Sequence, residues 1–381
     1  MKYIPFNKIN IPDSILKDLK NVIKSGWITT GIQTCKLENK ISSIIGAKNV
    51  IAVSSGTAAL HLAYLAAGIG YGDEVIVPSF TFCSTVNSII HTGARPVFCD
   101  ILENTMCIDP SDIEKRITKK TKAIVAVHFA GRVAEMNSIN RIARKYNLVV
   151  IEDAAHAFLA RYNNKYIGSG KNITCLSFYA TKNLTTAEGG AILCNNVKIA
   201  RYIRSLSMHG ITKQAWNRYK KDGSWKYGVK YAGYKYNLSD VHATIGLSQL
   251  PNIYKAHAYR EKLVKLYKEL LKENKNIILP TDTSKFGSEH AWHLFVIRIK
   301  PTSKINRDDL IERLRAVGIG TSVHFIPNHM QEFYRKLGAF NTKLPITEKI
   351  GREILSLPLY ERLKKSEIRY ICKKINEATN E

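Results

Sequence analysis

The chain has 381 residues, of which 57 are Lys or Arg and 31 are Asp or Glu, so its formal net charge at pH 7 is +26. A hydrophobic content of 45% with 23% charged residues is ordinary for a globular protein and excludes a disordered chain. The length suits two or three domains, and the charge leaves three partners open: nucleic acid, an anionic membrane surface or a phosphorylated small substrate. Lysines spread evenly over the surface are an equally simple explanation.

The cysteines and the N-terminus favour a reduced compartment. Residues 1–20 have no uninterrupted apolar run of the kind that secretory signals carry. Residues 51–72 lack charge over about the length of a membrane span, but a strand, a tight turn and a buried helix explain them better. The cysteines form no C-x-x-C pair, which argues against a disulfide framework or a zinc site. They are Cys35, Cys83, Cys99, Cys107, Cys175, Cys194 and Cys372. We expect a cytoplasmic protein that does not associate with membranes.

Short β-branched runs alternate with helical stretches from residue 50 to about residue 195. Several of these runs are apolar throughout, which is typical of a parallel sheet covered on both faces, so we expect a doubly wound α/β domain. Its ligands should bind beyond the carboxyl ends of the strands. The predicted strands are Val50–Val53, Glu74–Val77, Pro96–Asp100, Ala123–Val127, Leu148–Asp153 and Thr174–Phe178. The predicted helices are Thr57–Ala67, Cys83–Thr92 and Ala134–Tyr146.

The pattern changes after residue 195, where strands and helices no longer alternate regularly. A segment rich in Lys, Tyr, Trp and Gly, Lys213–Tyr236, comes first. The elements predicted beyond it are helices at Leu238–Leu250, Ile253–Asn274, Arg307–Val317 and Lys365–Asn380 and strands at His293–Ile299 and Thr321–Ile326. We therefore predict a large α/β domain over residues 1–254, which includes the N-terminal segment, and a smaller α+β domain over residues 255–381.

Three segments at predicted strand ends carry residues suited to chemistry. At Ser54-Ser55-Gly56-Thr57 a helix opens after a strand, so its N–H groups and the Thr57 hydroxyl can hold an anion, although such a segment is more often only a cap. Asp153 ends an apolar strand and could keep a pyridinium nitrogen protonated, or equally cap the next segment. Lys182 follows a strand among small and apolar residues, where desolvation favours Schiff-base formation, although most lysines in such loops are solvated.

The order of these segments is more informative than any one of them. An anion site, a carboxylate and a lysine on one α/β domain are what a pyridoxal 5'-phosphate (PLP) enzyme needs. The residues resemble the nucleotide-sugar aminotransferases of the DegT/StrS type over nearly the whole chain, and the string S-F-[YH]-x-x-K-N-[LI]-T-x-x-E-G-G is highly specific. The matching segments are Gly26–Gly31, Ser54–Leu60, Gly72–Phe82, Glu152–Ala157, Ser177–Gly190, Gly233–Leu250 and Ser356–Pro358.

This resemblance implies an aspartate-aminotransferase-like fold (fold type I), a large domain with a mainly parallel sheet plus a smaller C-terminal α+β domain, PLP as cofactor and no metal. Lys182 would be the Schiff-base lysine and would move protons between cofactor and substrate carbons. Some relatives that dehydrate sugars instead of aminating them have histidine there, so lysine favours transamination. The implied cofactor contacts are Asp153 at the pyridine nitrogen, His156 beside the ring near its phenolic oxygen, Phe82 stacked on the ring, and Gly56, Thr57 and Ser177 at the phosphate.

The resemblance also implies a homodimer whose active sites are shared. A segment of the second subunit, here Gly233–Leu238, would reach the phosphate through Asn237, with Lys235 as the alternative contact. The G-Y-K-Y-N form and a histidine at position 156 occur in a subgroup that aminates C4 of UDP-linked 4-keto sugars. We therefore expect transfer of an amino group from L-glutamate to a nucleotide-linked keto sugar, a UDP- or dTDP-4-keto-6-deoxy sugar, with C3 amination as the alternative.

A different class of function, nucleic-acid binding, draws its support from Lys213–Tyr236. Aromatic residues that could stack on bases are interleaved there with lysines that could bind phosphates. The aromatic residues are Trp216, Tyr219, Trp225, Tyr227, Tyr231 and Tyr234, and the lysines are Lys220, Lys221, Lys226, Lys230 and Lys235. A loop crossing to a partner subunit explains the same segment more simply, so we expect no nucleic-acid partner. His128 and His324 could contact the cofactor or the substrate, but they and His329 fit structural roles as well and stay outside the predicted site.

Overall fold

A computed structural model describes residues 3–211, 226–281, 287–338 and 342–380. Its strands are β1 Asn49–Val53, β2 Glu74–Pro78, β3 Arg95–Cys99, β4 Thr121–Val127, β5 Val149–Asp153, β6 Arg161–Tyr162, β7 Lys165–Tyr166, β8 Ile173–Ser177, β9 Gly190–Cys194, β10 Ile277–Ile278, β11 Phe295–Ile299 and β12 Ile354–Leu357. Seven of them form the main sheet in the order β1-β9-β8-β5-β4-β2-β3. Only β9 runs against the others in this sheet.

Helices cover this sheet and complete the chain. They are α1 Ile15–Lys24, α2 Ile32–Ile45, α3 Gly56–Ala66, α4 Cys83–His91, α5 Pro110–Arg116, α6 Met136–Lys145, α7 Val197–Leu206, α8 Asp240–Gln249, α9 Ile253–Leu271, α10 Arg307–Ala316, α11 Glu332–Lys336, α12 Pro345–Glu353 and α13 Lys365–Asn380. Several begin at a polar side chain that accepts a backbone N–H of the first turn, namely Ser55, Asp109, Asn196, Ser239 and Asn306. None of the helices in the described ranges combines the length and apolar character needed to cross a bilayer.

The main sheet lies between two hydrophobic clusters, as the apolar strands predicted. Ile76 and Ile124 belong to one cluster, whereas Val75, Val77 and Val125 belong to the other. Alternate side chains of β2 and β4 therefore point to opposite faces, and both faces are buried. All six strands and all three helices predicted before residue 195 are confirmed, with bounds that shift by a few residues.

One strand of the main sheet, β9, was missed. It is buried along its whole length and pairs with β1 on one side and β8 on the other, so that Gly190 lies opposite both Val53 and Ser177. Because β8 and β9 are antiparallel neighbours, residues 178–189 form a loop that begins and ends at the carboxyl end of β8. Lys182 lies in this loop, on the side of the sheet where the carboxyl ends of the parallel strands meet.

The second half of the chain has its own small sheet and its own core. Strands β10, β11 and β12 form an antiparallel sheet against a hydrophobic cluster that includes Tyr267, Phe295 and Ile371. Ile4, from the N-terminal segment, also packs in this cluster and pairs with Ile319. This core supports a smaller C-terminal domain, and the boundary at residues 254 and 255 stays a prediction.

The strand predicted at Thr321–Ile326 is wrong. Within this segment only Ser322 pairs with another chain segment, through an isolated bridge to Ser356. The side chains of Val323, His324 and Phe325 line a cavity beside the main sheet. The β-branched and aromatic residues of this segment therefore pack against a site instead of forming a ladder.

The two halves of the chain are joined by a buried arginine whose removal should destabilise the protein. Arg298 on β11 donates to Glu353 at 2.6 and 2.8 Å and to Glu103 at 2.7 Å. The Arg298 and Glu353 side chains are only 5% and 6% exposed, so Arg298→Ala leaves a buried carboxylate without its cation. We expect the free energy of unfolding to fall by about 3–5 kcal/mol, measured by urea titration.

A matched control removes a cation from the same glutamate at the surface. Lys349 lies 2.7 Å from Glu103, and both side chains are 43% exposed. Lys349→Ala should change the free energy of unfolding by less than about 1 kcal/mol. Equal losses in the two variants would show that burial of the Arg298–Glu353 pair does not matter.

Candidate active site

A cavity of about 600 Å³ lies at the carboxyl ends of the parallel strands, where α/β sheets bind their ligands. It collects residues from β5, β8 and the segments that follow β1, β2 and β8. Seven of the eight predicted site residues line it: Gly56, Thr57, Phe82, Asp153, His156, Ser177 and Lys182. The eighth, Asn237, does not line this cavity.

The first part of the site is the N-terminus of α3, an eleven-residue helix. Ser55 caps it by accepting the N–H of Ala58 at 3.0 Å, and the chain passes close to Ser177 at Gly56. A Cβ on Gly56 would stand 2.9 Å from the Ser177 Cβ, so only glycine fits there. A helix N-terminus with the Thr57 and Ser177 hydroxyls at the cavity wall suits an anionic group such as a phosphate.

The second part is the Asp153 carboxylate at the end of β5. It is buried, and its two oxygens have separate donors: the Thr85 hydroxyl at 2.7 Å and the Ala155 N–H at 3.1 Å. Thr85 was not among the predicted site residues. A buried carboxylate that is already oriented by two donors and borders the cavity can accept an N–H from a bound heterocycle.

The third part is Lys182, in the loop between β8 and β9. Burial lowers the pKa of Lys182 from 10.5 to about 8, and the nearby Asp153 carboxylate opposes this shift. The amine therefore loses its proton far more easily than a surface lysine does. This property suits it to bond covalently to a carbonyl and to carry protons.

His156 is held as a neutral hydrogen-bond donor. Its Nδ1 accepts the N–H of Ala130 at 3.2 Å, and because an amide N–H can only donate, the ring proton lies on Nε2. Burial lowers the pKa of His156 well below 6.5, and the positive charge of Lys182 lowers it further. The ring stacks on Phe325 with centroids 5.8 Å apart.

Phe82 occupies the mouth of the cavity. Its side chain is 56% exposed although it is a large apolar ring, and its centroid lies 5.9 Å from that of Phe325. An exposed aromatic face beside the lysine and the aspartate offers a surface on which a flat ring can stack. Phe325, which contacts both Phe82 and His156, was not predicted as a site residue because its segment was predicted to be a strand.

Three further histidines were considered in the sequence analysis, and two of them border the cavity. His324 lines the cavity and its Nδ1 lies 3.0 Å from the Ser356 hydroxyl. His128 also borders the cavity, but its Nε2 is bonded to the buried Glu152 at 2.9 Å. The Nδ1 of His329 lies 2.7 Å from the Ser79 hydroxyl, and its ring is not part of the cavity wall. Only His324 is therefore placed to contact a substrate.

His324 should make the protein sensitive to acid. Burial lowers the pKa of His324 from 6.5 to about 4, with Lys182 as the second cause. The folded state favours the neutral form of His324. Its contribution to the free energy of unfolding is therefore fully present above pH 6.5 and is lost as the pH falls through 4. His324→Asn should therefore reduce the loss of unfolding free energy between pH 7 and pH 4 by up to about 3 kcal/mol.

Urea titrations at several pH values measure this difference. The exposed His91 provides the matched control, and His91→Asn should change the pH dependence less than His324→Asn does. An unchanged pH dependence in His324→Asn would contradict the prediction.

Asn237 and Lys235 lie away from the Lys182 cavity. Asn237 lines a separate cavity of about 510 Å³, where its amide donates to the Thr30 hydroxyl at 2.7 Å. Lys235 is exposed, with its Nζ 3.6 Å from the Met208 Sδ. Neither residue contacts the cavity of its own chain, so a phosphate contact through either would have to come from a second copy, which stays a prediction.

The segment that suggested nucleic-acid binding is only partly described. Residues 212–225, which include Trp216, Tyr219 and Trp225, lie outside the described ranges. In the described part, Tyr231 packs against Tyr202 at 4.8 Å and Tyr234 stacks on Tyr236 at 5.0 Å. These rings contact protein aromatics, so they are not free platforms for bases. Among the described residues, no three His, Cys, Asp or Glu side chains are grouped as metal ligands.

A mainly parallel sheet that carries an anion cradle, an oriented carboxylate, an exposed aromatic ring and a desolvated lysine at its carboxyl edge defines a PLP-dependent enzyme of fold type I. The residues fit this cofactor in charge, in donor type and in the space they enclose. Comparison with known proteins gives the family. The chain belongs to the DegT/DnrJ/EryC1/StrS aminotransferase family, which it matches over residues 10–376.

Individual relatives are similar to the chain over nearly their whole length. The chain is 42% identical to the uncharacterized protein MJ1066 of Methanocaldococcus jannaschii, over all of this chain and 98% of that protein. It is 41% identical to the spore coat polysaccharide biosynthesis protein SpsC of Bacillus subtilis, over 96% of this chain and 94% of that one.

Solved structures show the same fold. The PLP form of the putative sugar aminotransferase Spr1654 from Streptococcus pneumoniae superimposes with a TM-score of 0.92 and 30% identity, covering 99% of both chains. PseC of Helicobacter pylori, an aminotransferase involved in the biosynthesis of pseudoaminic acid, gives a TM-score of 0.91 and 26% identity over the whole of both chains. The predicted fold class, the PLP cofactor and the activity of a PLP-dependent sugar aminotransferase are thereby confirmed.

Proposed function

We propose that this sugar aminotransferase moves the amino group of L-glutamate to C4 of a nucleotide-linked 4-keto-6-deoxy sugar, with UDP or dTDP as the nucleotide, for the synthesis of a surface glycan. The observation that carries the proposal is the convergence of Gly56, Asp153 and Lys182 on one cavity, although 97 and 29 residues separate them along the chain. This arrangement supplies the anion site, the ring-nitrogen partner and the amine that the chemistry needs.

Three groups of residues bind and orient the cofactor. The N–H groups at the start of α3, with the hydroxyls of Thr57 and Ser177, hold its phosphate. Phe82 would cover one face of its ring, and Asp153 would accept the N–H of its protonated ring nitrogen. When bound, PLP supplies an electron sink for the bond that breaks at the substrate carbon.

Two side chains handle protons. The Nε2–H of His156 would donate to an oxygen of the bound ring system, and because the imidazole is neutral it adds no second positive charge beside Lys182. The Lys182 amine takes a proton from the donor carbon and returns one to the acceptor carbon in the second half of the reaction. A pKa of about 8 lets the same nitrogen do both near neutral pH.

Names of relatives support the substrate class. SpsC is named for spore coat polysaccharide biosynthesis, and PseC for the biosynthesis of pseudoaminic acid. The preference for C4 rests on His156 and on the Gly233–Asn237 form, which are shared with a subgroup that aminates UDP-linked 4-keto sugars. The choice of L-glutamate as the donor rests on resemblance to the family.

We also propose that the enzyme acts as a homodimer with shared sites. The position of Asn237, outside the cavity of its own chain, supports this, because the residue is then available to a second copy. The molar mass of the purified protein in solution tests the dimer, and a mass equal to one chain under assay conditions would contradict it.

A panel of substrates tests the function. The purified protein is loaded with PLP and incubated with L-glutamate and, separately, with UDP-, GDP- and dTDP-linked 4-keto-6-deoxy and 3-keto sugars. Products are identified by mass and by NMR. Amination at C4 of a UDP or dTDP sugar is expected. Amination of 3-keto sugars alone would overturn the C4 assignment, and no product with any of the sugars would overturn the function.

A further inference from the structure

A chain of buried hydroxyls ends at the Asp153 carboxylate. The Thr81 Oγ1 lies 2.8 Å from the Thr85 Oγ1, which lies 2.7 Å from the Asp153 Oδ2. Thr81, Thr85 and Asp153 are only 2%, 0% and 6% exposed, so water does not compete for these bonds. Both threonines come from the segment after β2, whereas Asp153 ends β5.

The direction of the hydrogen bonds follows from the number of protons. An ionised carboxylate can only accept, so the Thr85 hydroxyl donates its single proton to Asp153. Its oxygen is then left to accept, and the Thr81 hydroxyl is the donor. The other carboxylate oxygen accepts the N–H of Ala155 at 3.1 Å. Each oxygen of Asp153 therefore has one donor from the protein, and the carboxylate keeps lone pairs for a further donor in the cavity.

Both threonines are fixed by contacts of their backbone. The Tyr64 hydroxyl donates to the Thr85 carbonyl at 3.1 Å, and the Asn328 amide donates to the Thr81 carbonyl at 2.7 Å. Thr85 lies in the first turn of α4, which adds a further constraint. The hydroxyl chain is thus built into the scaffold and does not depend on a ligand.

Of the titratable groups near Asp153, two are uncharged and one is a lysine. Burial raises the pKa of Tyr64 and of Cys175 well above their usual values, so both stay uncharged. Lys182 is a nearby basic group: burial lowers its pKa to about 8, and the Asp153 carboxylate opposes this shift. The Thr85 hydrogen bond is therefore a major stabilising contact of the carboxylate.

We propose that Thr85, oriented by Thr81, is a positioning residue that holds the Asp153 carboxylate in one orientation for the ring nitrogen of the cofactor. The proposal rests on the function proposed above, in which Asp153 holds that nitrogen. Thr85 acts through Asp153 and does not itself touch the reacting atoms. Its loss should weaken cofactor binding and change the electronic state of the bound ring, because both depend on a charged, oriented acceptor.

Thr85→Val tests this with a side chain of nearly the same shape and no hydroxyl. Titration of the cofactor-free protein with PLP should show an affinity about tenfold lower than that of the wild type, since a hydrogen bond to a charged group is lost. The visible absorption spectrum of the bound cofactor should change as well. Thr85→Ser keeps the hydroxyl and should restore both the affinity and the spectrum.

A second buried threonine that donates to a carboxylate provides the matched control. Thr347 is also fully buried, and its hydroxyl donates to the Asp100 carboxylate at 2.6 Å, outside the cavity. Thr347→Val should lower the free energy of unfolding but leave the PLP affinity and the spectrum unchanged. In an Asp153→Asn background, Thr85→Val should change PLP affinity by less than about twofold, because the two residues act together.

The outcomes separate the alternatives. Wild-type affinity and spectrum in Thr85→Val overturn the proposal. Equal losses in Thr85→Val and Thr85→Ser indicate packing instead of hydrogen bonding and also overturn it, as does an equal loss in Thr347→Val. A wild-type protein that binds no PLP is a different result, because then the proposed function fails and this inference with it.

Discussion

Lys182→Ala is expected to lower the rate of glutamate-dependent amino transfer by at least about a thousandfold, the largest effect of any single substitution in this chain. In the proposed function this amine anchors the cofactor covalently and carries the proton, and among the described residues no other lysine lines the cavity. Lys182→Arg keeps the positive charge but cannot form the covalent bond, so the rate of amino transfer should fall by as much as in Lys182→Ala.

The effect is measured as the steady-state rate with L-glutamate and a keto-sugar acceptor. Lys145→Ala serves as the matched control, because Lys145 is an exposed lysine paired with Glu114 at 2.6 Å and lies outside the cavity. It should keep the wild-type rate. More than about a tenth of the wild-type rate in Lys182→Ala would contradict the assignment of Lys182 as the proton carrier.

The low pKa of Lys182 has a consequence for the pH dependence of cofactor attachment. Because the pKa is about 8, the neutral fraction of the amine rises as the pH increases to 8 and becomes nearly complete above it. The rate of covalent PLP uptake by the cofactor-free protein should therefore rise about tenfold between pH 7 and pH 9 and then level off. A rate that still rises steeply above pH 9 would indicate a lysine with an ordinary pKa.

Asp153→Asn is expected to have the second largest effect, a loss of about a hundredfold to a thousandfold in the rate of amino transfer. The amide has the same shape but no charge, so the protonated ring nitrogen loses its buried counter-ion and the electron sink becomes weaker. The spectrum of the bound cofactor should change in parallel, since it depends on the protonation of the ring.

The neighbouring residue provides the control. Glu152 is also buried at the end of β5, but it bonds to His128 at 2.9 Å and to Asn172 at 2.7 Å instead of facing the cavity. Glu152→Gln should destabilise the fold and leave the cofactor spectrum of the folded protein as in the wild type. A rate for Asp153→Asn within a few-fold of the wild type would show that the carboxylate charge is not needed.

Much of the site was predictable because its residues lie in local patterns. Asp153 ends a strand, and Gly56 and Lys182 follow strands, that could be recognised by their apolar residues, and parallel strands bring their carboxyl ends to one edge. The sequence therefore indicated both the residues and the place where they meet. The resemblance to the family added the roles of Phe82, His156 and Ser177.

Other features depend on contacts between distant residues, which local patterns do not contain. The Thr85–Asp153 bond joins residues 68 positions apart, and Thr85 itself looks like any polar residue in a helix. Strand β9 was missed, although its apolar run, Ala191–Cys194, was a usable signal. Thr321–Ile326 has strand-forming residues, but tertiary packing against the cavity overrides this preference.

Lys182 lies in the loop between β8 and β9 and is not part of either strand. The ends of this loop are tied together by the bond from the Phe178 N–H to the Gly189 carbonyl at 2.8 Å, so the sheet does not depend on the side chain at position 182. A replacement there can alter which proton moves while the phosphate cradle and the carboxylate stay in place. The residue at position 182 can therefore change without a change in the two strands that carry the loop.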